Sequence, residues 1–572
     1  MSETILSKQW THGCYVKTPD CNVVVVKEKL ITIDKETNQI VDIKNNLTWN
    51  DPTLTNPKRA IFVTKPQFRN HTYKKETEQV KNTDMYIVED RFLIDDLKRI
   101  MDIPPYKRTS LRKICDSPYI YNADVGMEAL IRLRYNNSQK HHVIRFTIGA
   151  FDIEVSVLGC GRINAVTYIH EDTIYTVALN DFMWKYVDGK KKKATANDIY
   201  GHIHNLFGPM PDKETIEITT KDKNGDNVKT RFKFHLKIAE TELELIFGIF
   251  DIIHRCETDF INIWNIDYDI PKIIQRLEYY KVDPTDVFCH PSVPKHLRMC
   301  HYKRDKKKTH HIADKWHWLH CTSMSQFLDA MLLYSRIRKA KRKKSSYKLD
   351  AIAKEELGFG KLSFGEDDNS TLDHHLMQST RFPEYVVYNI QDSILLQLMD
   401  RKNRDIVAMW NLSGDSTLAD FSKQSVMLKN GYYKFAKEHD RVFATTGETM
   451  DGPFDHLLGK VGGAVLRADQ CKDIGINCLV ERPDLETMLL VFASDLDFKA
   501  IYPSFKSGFG ISKETKLATC VEVQGNHKES IEALFGGLAN PPENAVWICN
   551  DFLGLPNYEE MDALAEIAFG PK

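Results

Sequence analysis

The chain has 572 residues, of which 42% are hydrophobic, 10% aromatic and 27% charged, and this globular composition excludes a disordered, collagen-like or coiled-coil protein. Its 78 Lys and Arg balance 79 Asp and Glu, so a surface that is basic throughout is excluded as well. The N-terminus lacks a signal-peptide core, no apolar stretch reaches the roughly 20 residues that span a bilayer, and the 12 cysteines are scattered. We therefore expect a cytoplasmic protein of three or four domains, with reduced thiols and no membrane contact.

Hydrophobic periodicity divides the chain into regions of different character. The first 145 residues contain short β-rich runs such as Val23 to Val26, and alternating strands and helices from 145 to 400 indicate an α/β domain. The individual elements that periodicity predicts are, in chain order, a long strand at 142–160, a strand pair at 166–178, a helix at 240–255, a strand at 261–266, a helix at 383–400 and a strand at 486–498.

The segment FDIEV places two carboxylates in a predicted strand. Asp152 and Glu154 alternate with apolar residues, so a strand presents both acids on one face. Two neighbouring anions repel each other unless a cation lies between them, and a divalent metal with oxygen ligands supplies that cation. The alternative is an ordinary surface pair.

Two further segments, WNIDYDIP at 264–271 and YNIQD at 388–392, carry acids at helical positions. The first follows a strand and opens into a helix, so its acids could also be plain helix caps. In the second, Tyr388 and Asp392 are four residues apart on a predicted helix, so the phenol and the carboxylate lie on one face and can share a water molecule.

In their order along the chain and in their residue sequences, these three segments resemble the exonuclease motifs of family B DNA polymerases. SYKLDAIAKEELGFGKLSF at 346–364 is similar to the segment before the third motif in the T-even-type phage enzymes, KVGGAV at 460–465 resembles the linker between exonuclease and polymerase domains, and DFKAIYPS at 497–504 resembles polymerase motif A. The resemblance covers about residues 145–515. It departs from the family in the second motif, where one residue is missing; we take Asp269 as the ligand, with Asp267 as the fallback.

The resemblance implies a mixed α/β protein with three parts. These are an N-terminal domain at 1–145 that is rejoined by 400–455, an RNase-H-like 3′–5′ exonuclease domain at 146–399 and a partial polymerase palm at 456–572. The exonuclease would proofread replicated DNA with two Mg²⁺ or Mn²⁺ ions. Its ligands would be Asp152, Glu154, Asp269 and Asp392, with Tyr388 orienting the attacking water.

In the partial palm, the resemblance makes Asp497 a metal ligand and places Tyr502 under the sugar of the incoming nucleotide. Gly462 and Gly463 add no side chain, so they allow the backbone to approach a DNA phosphate closely; a plain interdomain turn is the alternative. The fingers motif K-x-x-x-N-S-x-Y-G and the later D-T-D motif of the family are absent from 505–572. Palm chemistry needs at least two carboxylates, so this chain alone should not polymerise DNA.

We therefore expect the N-terminal half of a split, phage-like polymerase that acts on a DNA primer–template, in the infected host cytoplasm if viral. A second polypeptide would supply fingers, thumb and the remaining palm, and dNTP would bind only in the assembled complex. The alternatives are a stand-alone 3′–5′ exonuclease with a vestigial palm and a catalytically silent scaffold that binds DNA and a polymerase.

A His- and Cys-rich segment at 289–321 and several basic runs have other interpretations. Candidate zinc ligands are Cys300, His301, His320 and Cys321, but no pair has C-x2–4-C spacing, so we do not expect zinc. In related enzymes this interval forms a β-hairpin that touches DNA, and Lys306, Lys307 and Lys308 at its tip suit that role; a solvated loop is the alternative. The run at 335–348 is expected to be a solvated helix end or a DNA-facing patch, and Lys190–Lys193 an exposed turn.

Overall fold

The computed structural model describes most of residues 4–447 and, beyond them, two short strands. The residues not described within that range are 72–73, 76, 139–144, 209–213, 222–225, 307–314, 339–343, 345, 363–370, 415 and 422, and the strands beyond it are residues 479–482 and 487–490. About 39% of the described residues are helical and 32% are in strands, so the protein is of the mixed α/β class.

The strands account for about a third of the described chain. In chain order they are β1 (Thr4–Lys17), β2 (Asn22–Asp34), β3 (Ile40–Thr48), β4 (Lys58–Thr64), β5 (Thr77–Gln79), β6 (Thr83–Glu89), β7 (Ile120–Tyr121), β8 (Ile148–Val155), β9 (Ile163–His170), β10 (Thr173–Leu179), β11 (Trp184–Val187), β12 (Lys190–Lys193), β13 (Thr215–Lys221), β14 (Asn227–Ala239), β15 (Phe260–Ile263), β16 (Cys300–Lys303), β17 (Trp318–Cys321), β18 (Gln326–Asp329), β19 (Arg441–Phe443), β20 (Leu479–Arg482) and β21 (Thr487–Leu490).

The helices follow the same order along the chain. They are α1 (Leu93–Ile100), α2 (Leu111–Ile114), α3 (Met127–Ser138), α4 (Ala196–Phe207), α5 (Glu242–Cys256), α6 (Ile266–Tyr279), α7 (Thr285–Phe288), α8 (Ala330–Ile337), α9 (Leu349–Leu357), α10 (Thr371–Thr380), α11 (Phe382–Asn403), α12 (Asp405–Ser413) and α13 (Gln424–Glu438). Among the described helices, none is both long and apolar enough to cross a bilayer.

The chain divides into two compact units. The first comprises Met1–Ile61, Met85–Tyr106 and Val125–Asp440, and the second comprises Phe62–Asp84, Lys107–Asp124 and Arg441–Lys572. The predicted domain boundaries near 145 and 400 both fall inside the first unit. The division into N-terminal, exonuclease and palm domains therefore stays a prediction.

A seven-stranded mixed sheet forms the centre of the first unit, with the order β13-β14-β10-β9-β8-β15-β18. β8, β9 and β10 are antiparallel neighbours, whereas β15 runs parallel to β8 and β18 runs parallel to β15. β9 and β15 are buried along almost their whole length because helices cover the sheet. Phe151 of β8 contacts Phe250 of α5, with ring centroids 6.1 Å apart, so α5 packs on the face to which the apolar residues of β8 point.

Helix α11 packs against β8 and β9 and is the longest of the described helices. Pro383 lies in its first turn, where the missing N–H costs no helical hydrogen bond. From Phe382 to Asp400 every residue except Glu384 is buried, as expected of a helix in the interior of a large protein. Polar residues in so buried a helix need partners, and those partners define the site described below.

A buried ion pair fixes helices α5 and α6 to the sheet. The carboxylate of Glu242 accepts hydrogen bonds from Nε and Nη2 of Arg276 at 2.8 and 2.6 Å and from the Tyr280 hydroxyl at 2.9 Å. It also accepts one from the backbone N–H of Ile163 at 2.8 Å, so one side chain joins both helices to the start of β9.

Within the first unit, the antiparallel strands β1, β2 and β3 are joined to the central sheet by charge. Lys27 and Lys29 of β2 lie 3.2 and 2.7 Å from the two carboxylate oxygens of Asp259, which directly precedes β15. Burial lowers the pKa of Lys27, and Asp259 counteracts that shift. Elsewhere in the first unit, Arg132 of α3 donates a hydrogen bond to the hydroxyl of Ser413 in α12 at 2.9 Å.

In the second unit, β5 pairs antiparallel with β19, for example Thr77 with Phe443. The end of β4 pairs with β7 through Phe62 and Tyr121. A stretch within 400–455 thus pairs with a strand from the first 145 residues. β20 and β21 form a separate antiparallel pair.

Most elements predicted from periodicity are confirmed, and three predictions are wrong. Helices α5 and α11 and strands β9, β10 and β15 lie where they were predicted. The strand predicted at 142–160 is too long, because β8 ends at Val155 and the chain then turns through Gly159 and Gly161, whose φ angles of 90° and 59° favour glycine. Of the strand predicted at 486–498, β21 covers the beginning, and the rest lies outside the described residues.

The other two corrections concern charged strands. The run from Val23 to Val26 is not short, because β2 continues past it for eight residues. Lys190–Lys193 is not a turn but strand β12, which pairs with β11; the turn is Asp188-Gly189, where both residues have positive φ as a two-residue hairpin requires.

Candidate metal centre

Strand β8 presents two carboxylates to helix α11. Oδ2 of Asp152 accepts a hydrogen bond from Nδ2 of Asn389 at 2.7 Å, and Oε2 of Glu154 accepts one from the Tyr385 hydroxyl. Both donors belong to α11, so the two acids share one face of the strand, as the alternating pattern predicts. Their hydrogen bonds to a buried helix exclude the alternative of an ordinary surface pair.

Helix α11 itself adds a third carboxylate. Oxygens of Asp152, Glu154 and Asp392 lie within 4.8 Å of one another, so this acidic triad could hold one metal ion. Oδ1 of Asp392 is buried and has no hydrogen-bond partner among the described residues. A buried carboxylate oxygen without a partner is costly, and a divalent cation that prefers oxygen ligands would satisfy it. The donor set therefore fits a hard divalent metal.

A fourth acid comes from the first turn of α6. Oδ1 of Asp269 lies 3.3 Å from the backbone N–H of Ile153, the residue between the two acids of β8. Asp267 points elsewhere: it accepts hydrogen bonds from the Tyr302 hydroxyl and from Nε of Arg304, at 2.8 and 2.7 Å. The structure thus brings Asp269, and not Asp267, to the carboxylates of β8. Neither acid caps the helix, because its N-cap residue is Asn265.

Burial raises the pKa of all four acids, and repulsion from neighbouring carboxylates adds to the shift. Burial is the main cause for each, and it raises the pKa of Glu154 to about 8. For Asp152 and Asp269 the pKa lies well above the usual range, and the charges of neighbouring acids add to the effect of burial. Several anions cannot ionise side by side in a low-dielectric site without enough cations, so these shifts describe a site with more negative than positive charge.

One cation does reach the site from the loop after α9. Nζ of Lys361 lies 2.5 Å from Oδ2 of Asp392 and 3.0 Å from the Tyr388 hydroxyl. Its charge lowers the pKa of Asp392, against the larger effect of burial. No local sequence pattern distinguishes Lys361 from the other lysines of its segment, so it is not among the residues predicted for the site.

Tyr388 lies on the same face of α11 as Asp392. Its hydroxyl hydrogen-bonds the carboxylate of Asp392, one helical turn further along α11. Its ring stacks on that of Tyr385, with centroids 5.9 Å apart and planes 2° from parallel. Burial is the main cause that raises the pKa of Tyr388, so the phenol stays protonated at neutral pH and can donate a hydrogen bond.

Tyr385 and Asn389 were not identified from the sequence, although helical spacing could have revealed them. They lie three residues before and one residue after Tyr388, which puts them on the same side of α11 as Asp392. Gln378 supports Tyr385: its Nε2 donates to the Tyr385 hydroxyl at 3.0 Å, and this hydroxyl donates to Glu154. The carboxylates are therefore held in place by further buried polar groups.

The His- and Cys-rich segment contains the predicted β-hairpin. In β16 and β17, Cys300 faces Cys321 and His301 faces His320, so the candidate zinc ligands form two facing pairs. Within the described ranges, the acidic triad is the one group of three or more His, Cys, Asp or Glu with ligand atoms within 4.8 Å. The next residues after β16 include Arg304, which bonds to Asp267 in the turn of α6 that carries Asp269.

Several predicted site residues lie outside the described residues. They are Lys307 and Lys308 of the hairpin tip, the linker residues Gly462 and Gly463, and the motif A residues Asp497 and Tyr502. Lys306 is described and follows β16 closely. In the basic run at 335–348, Arg338 pairs with Asp405, with Nη1 2.9 Å from Oδ2, so this cation packs inside the first unit rather than forming a free patch.

Comparison with known proteins does not identify the chain. No protein-family model matches it. No curated protein matches it either, so the interpretation of the site depends on its geometry and on the motifs themselves.

Proposed function

We propose that the chain is a metal-dependent 3′–5′ exonuclease that acts on DNA, of the kind found in family B DNA polymerases. The observation that carries the proposal is the convergence of Asp152, Glu154, Asp269 and Asp392. They come from three segments more than a hundred residues apart, and they meet beside one strand. The antiparallel strands β8, β9 and β10, followed by the parallel strands β15 and β18, are compatible with the RNase-H-like sheet that the motifs imply.

The chemistry needs two functions from the protein, which are to hold metal ions and to orient water. Mg²⁺ or Mn²⁺ held by the four carboxylates would generate a hydroxide and stabilise the leaving oxygen of the phosphodiester. The Tyr388 phenol is protonated at neutral pH, so it suits the positioning of a water molecule better than the removal of a proton. Asn389 and Tyr385 hold the two carboxylates of β8 in fixed orientations.

The arrangement also favours a phosphodiester substrate. Lys303 and Arg304 are exposed cations at the end of β16, and Arg304 is tied to the first turn of α6 through Asp267. Cations at this point attract a DNA backbone toward acids that would otherwise repel it. The proposed substrate is the 3′ end of a DNA primer, with proofreading of mispaired nucleotides as the role.

We further propose that the chain works with a second polypeptide as part of a replicative DNA polymerase in the cytoplasm. This part of the proposal depends on Asp497, Tyr502 and the linker glycines, and these motifs lie outside the described residues. A stand-alone exonuclease would use the same carboxylate site and would need no such partner.

The test is the double variant Asp152→Ala/Glu154→Ala in the full chain. We expect it to lose metal-dependent digestion of a 3′-mismatched primer while it keeps wild-type affinity for the primer–template in EDTA. The matched control is Glu36→Ala/Glu278→Ala, which removes two exposed carboxylates and should digest at the wild-type rate. Digestion that survives in the first variant would contradict the assignment of the site.

A further inference from the structure

A second candidate binding site lies in the first unit and shares no lining residue with the metal centre. A cavity of about 300 Å³ that is open to solvent is lined by the start of β4, by helix α3 and by helix α13. Five of its ten lining residues are Lys or Arg, and none is Asp or Glu. These five are Lys58 and Arg59 of β4, Arg134 of α3, and Lys434 and Lys437 of α13.

The cations converge from three separate parts of the chain, so they are not one solvated charge run. Arg134 is held in place by backbone carbonyls: its Nη2 lies 2.9 Å from the oxygen of Lys58 and its Nη1 lies 3.4 Å from that of Thr53. Arg59 contacts Asp90, but Lys58 and Lys437 are exposed and make no ion pair with any residue that the structure describes. Like charges that surround one cavity repel each other, and a bound anion would relieve that repulsion.

The floor of the cavity has the opposite character. Leu130 and Leu133 are buried beneath it, with 8% and 5% of their surface exposed. Ile87, which is 58% exposed, and the half-buried ring of Tyr433 add apolar surface at its side. Inorganic phosphate would leave this apolar surface uncovered, whereas a nucleotide combines a flat base, which stacks on aromatic and apolar side chains, with anionic phosphates.

We propose that this cavity binds a nucleotide. Its phosphates contact Lys58, Arg134 and Lys437, and its base lies against Ile87 and Tyr433. Two kinds of ligand present this combination of base and phosphate: a free nucleoside triphosphate and one nucleotide unit of a single nucleic-acid strand. The proposal does not rest on the exonuclease function, because none of these residues belongs to the metal centre.

The experiment measures binding of two probes to the full chain in EDTA, which prevents metal-dependent digestion. The probes are fluorescent mant-dATP and a fluorescein-labelled short oligothymidylate, followed by fluorescence change and anisotropy. The variant Lys58→Glu/Lys437→Glu changes two exposed residues of the cavity. The control Lys190→Glu/Lys192→Glu changes two exposed lysines of β12, so the net charge of the two proteins is identical.

We expect the cavity variant to weaken binding of at least one probe by about tenfold or more, while the control changes it by about twofold or less. Weaker binding of mant-dATP would identify a free nucleotide as the ligand of the cavity. An effect confined to the oligothymidylate would identify a single strand as the ligand. The milder variant Lys437→Gln should shift the affinity in the same direction, which protects the test against a folding defect.

A third variant, Ile87→Ser, tests whether the base is recognised. We expect Ile87→Ser to weaken binding of the probe that the cavity variant affects. Inorganic tripolyphosphate should still displace that probe as it does from the wild-type protein. The proposal is overturned if the cavity variant and the control behave alike. It is also overturned if Ile87→Ser has no effect on probe binding, because the cavity then recognises only negative charge.

Discussion

Nζ of Lys361 lies 2.5 Å from Oδ2 of Asp392, one of the carboxylates of the acidic triad. The lysine comes from the loop after α9 and the aspartate from the middle of α11, so the contact joins two elements that are separate in sequence. Its charge lowers the pKa of Asp152, Glu154 and Asp269 as well as that of Asp392, in each case against the larger effect of burial. The protein therefore supplies part of the positive charge that the site needs.

The first prediction concerns this lysine. In metal-free protein, Lys361→Met should lower the free energy of unfolding at pH 8 by about 1–3 kcal/mol, because a buried carboxylate loses its charged partner. At pH 5 the loss should be smaller, since Glu154, whose pKa is about 8, is then protonated and less negative charge surrounds Lys361. Denaturant unfolding in EDTA measures both values, with Lys423→Met, which breaks a more exposed pair with Asp420, as the control. Equal losses at the two pH values would contradict the role of Lys361.

The second prediction follows from the pKa of Glu154, which rises from its ordinary 4.5 to about 8 in the folded protein. The folded chain holds this proton more tightly than the unfolded chain, so the metal-free fold is favoured below pH 4.5 and loses that stability as the pH rises through 8. The melting temperature in EDTA should therefore fall over this interval.

Added Mg²⁺ or Mn²⁺ should reverse that loss. Metal displaces the protons, so the rise in melting temperature should be larger at pH 8 than at pH 6. The variant Asp152→Ala/Glu154→Ala should show little rise at either pH. If Mg²⁺ raises the melting temperature of both proteins equally, the ion binds elsewhere.

Sequence periodicity predicted much of this site, and tertiary contacts decided the remainder. Asp152 and Glu154 follow the period of a strand, and Tyr388 and Asp392 follow the period of a helix, so each pair could be placed on one face without a structure. Asp267 and Asp269 lie in the same helical turn, and local sequence could not separate them. The difference arises from distant partners, which are the N–H of Ile153 for Asp269 and the β16–β17 hairpin for Asp267.

Long-range pairing of charged residues explains why β2 is longer than the sequence predicts. In the sequence, Lys27 indicates the end of the apolar run of β2, because lysines normally mark exposed positions. In the folded chain, Lys27 and Lys29 are buried against Asp259, which is 230 residues away from Lys29 in sequence. Lys361 escaped notice for a related reason, since a long flexible side chain reaches the site from an otherwise ordinary loop.

The third prediction separates the two acids of α6. Asp269→Ala should lower the rate of 3′ digestion by about 100-fold or more, because it removes a carboxylate of the metal centre. Asp267→Ala should cost about tenfold or less, since it releases Tyr302 and Arg304 but leaves the metal centre intact. Single-turnover digestion of a labelled primer measures both rates. The reverse order would show that Asp267 is the ligand.

The fourth prediction concerns stability alone. Glu242→Gln leaves Arg276 buried without its charged partner, so we expect a loss of about 3–5 kcal/mol in the free energy of unfolding. Glu217→Gln is the comparison, because Glu217 pairs with the exposed residues Lys229 and Arg231. The melting temperature of that variant should barely differ from that of the wild-type protein. Similar losses in the two variants would mean that the buried pair does not anchor α5 and α6.

The most direct test of the central claim uses the purified chain, a 3′-mismatched primer–template, Mg²⁺ and all four dNTPs, and follows primer length with time. We predict that the primer shortens from its 3′ end and is not extended, and that EDTA stops the shortening. A primer that keeps its length in Mg²⁺ would contradict the exonuclease assignment. Extension would contradict the expectation that this chain needs a partner to polymerise DNA.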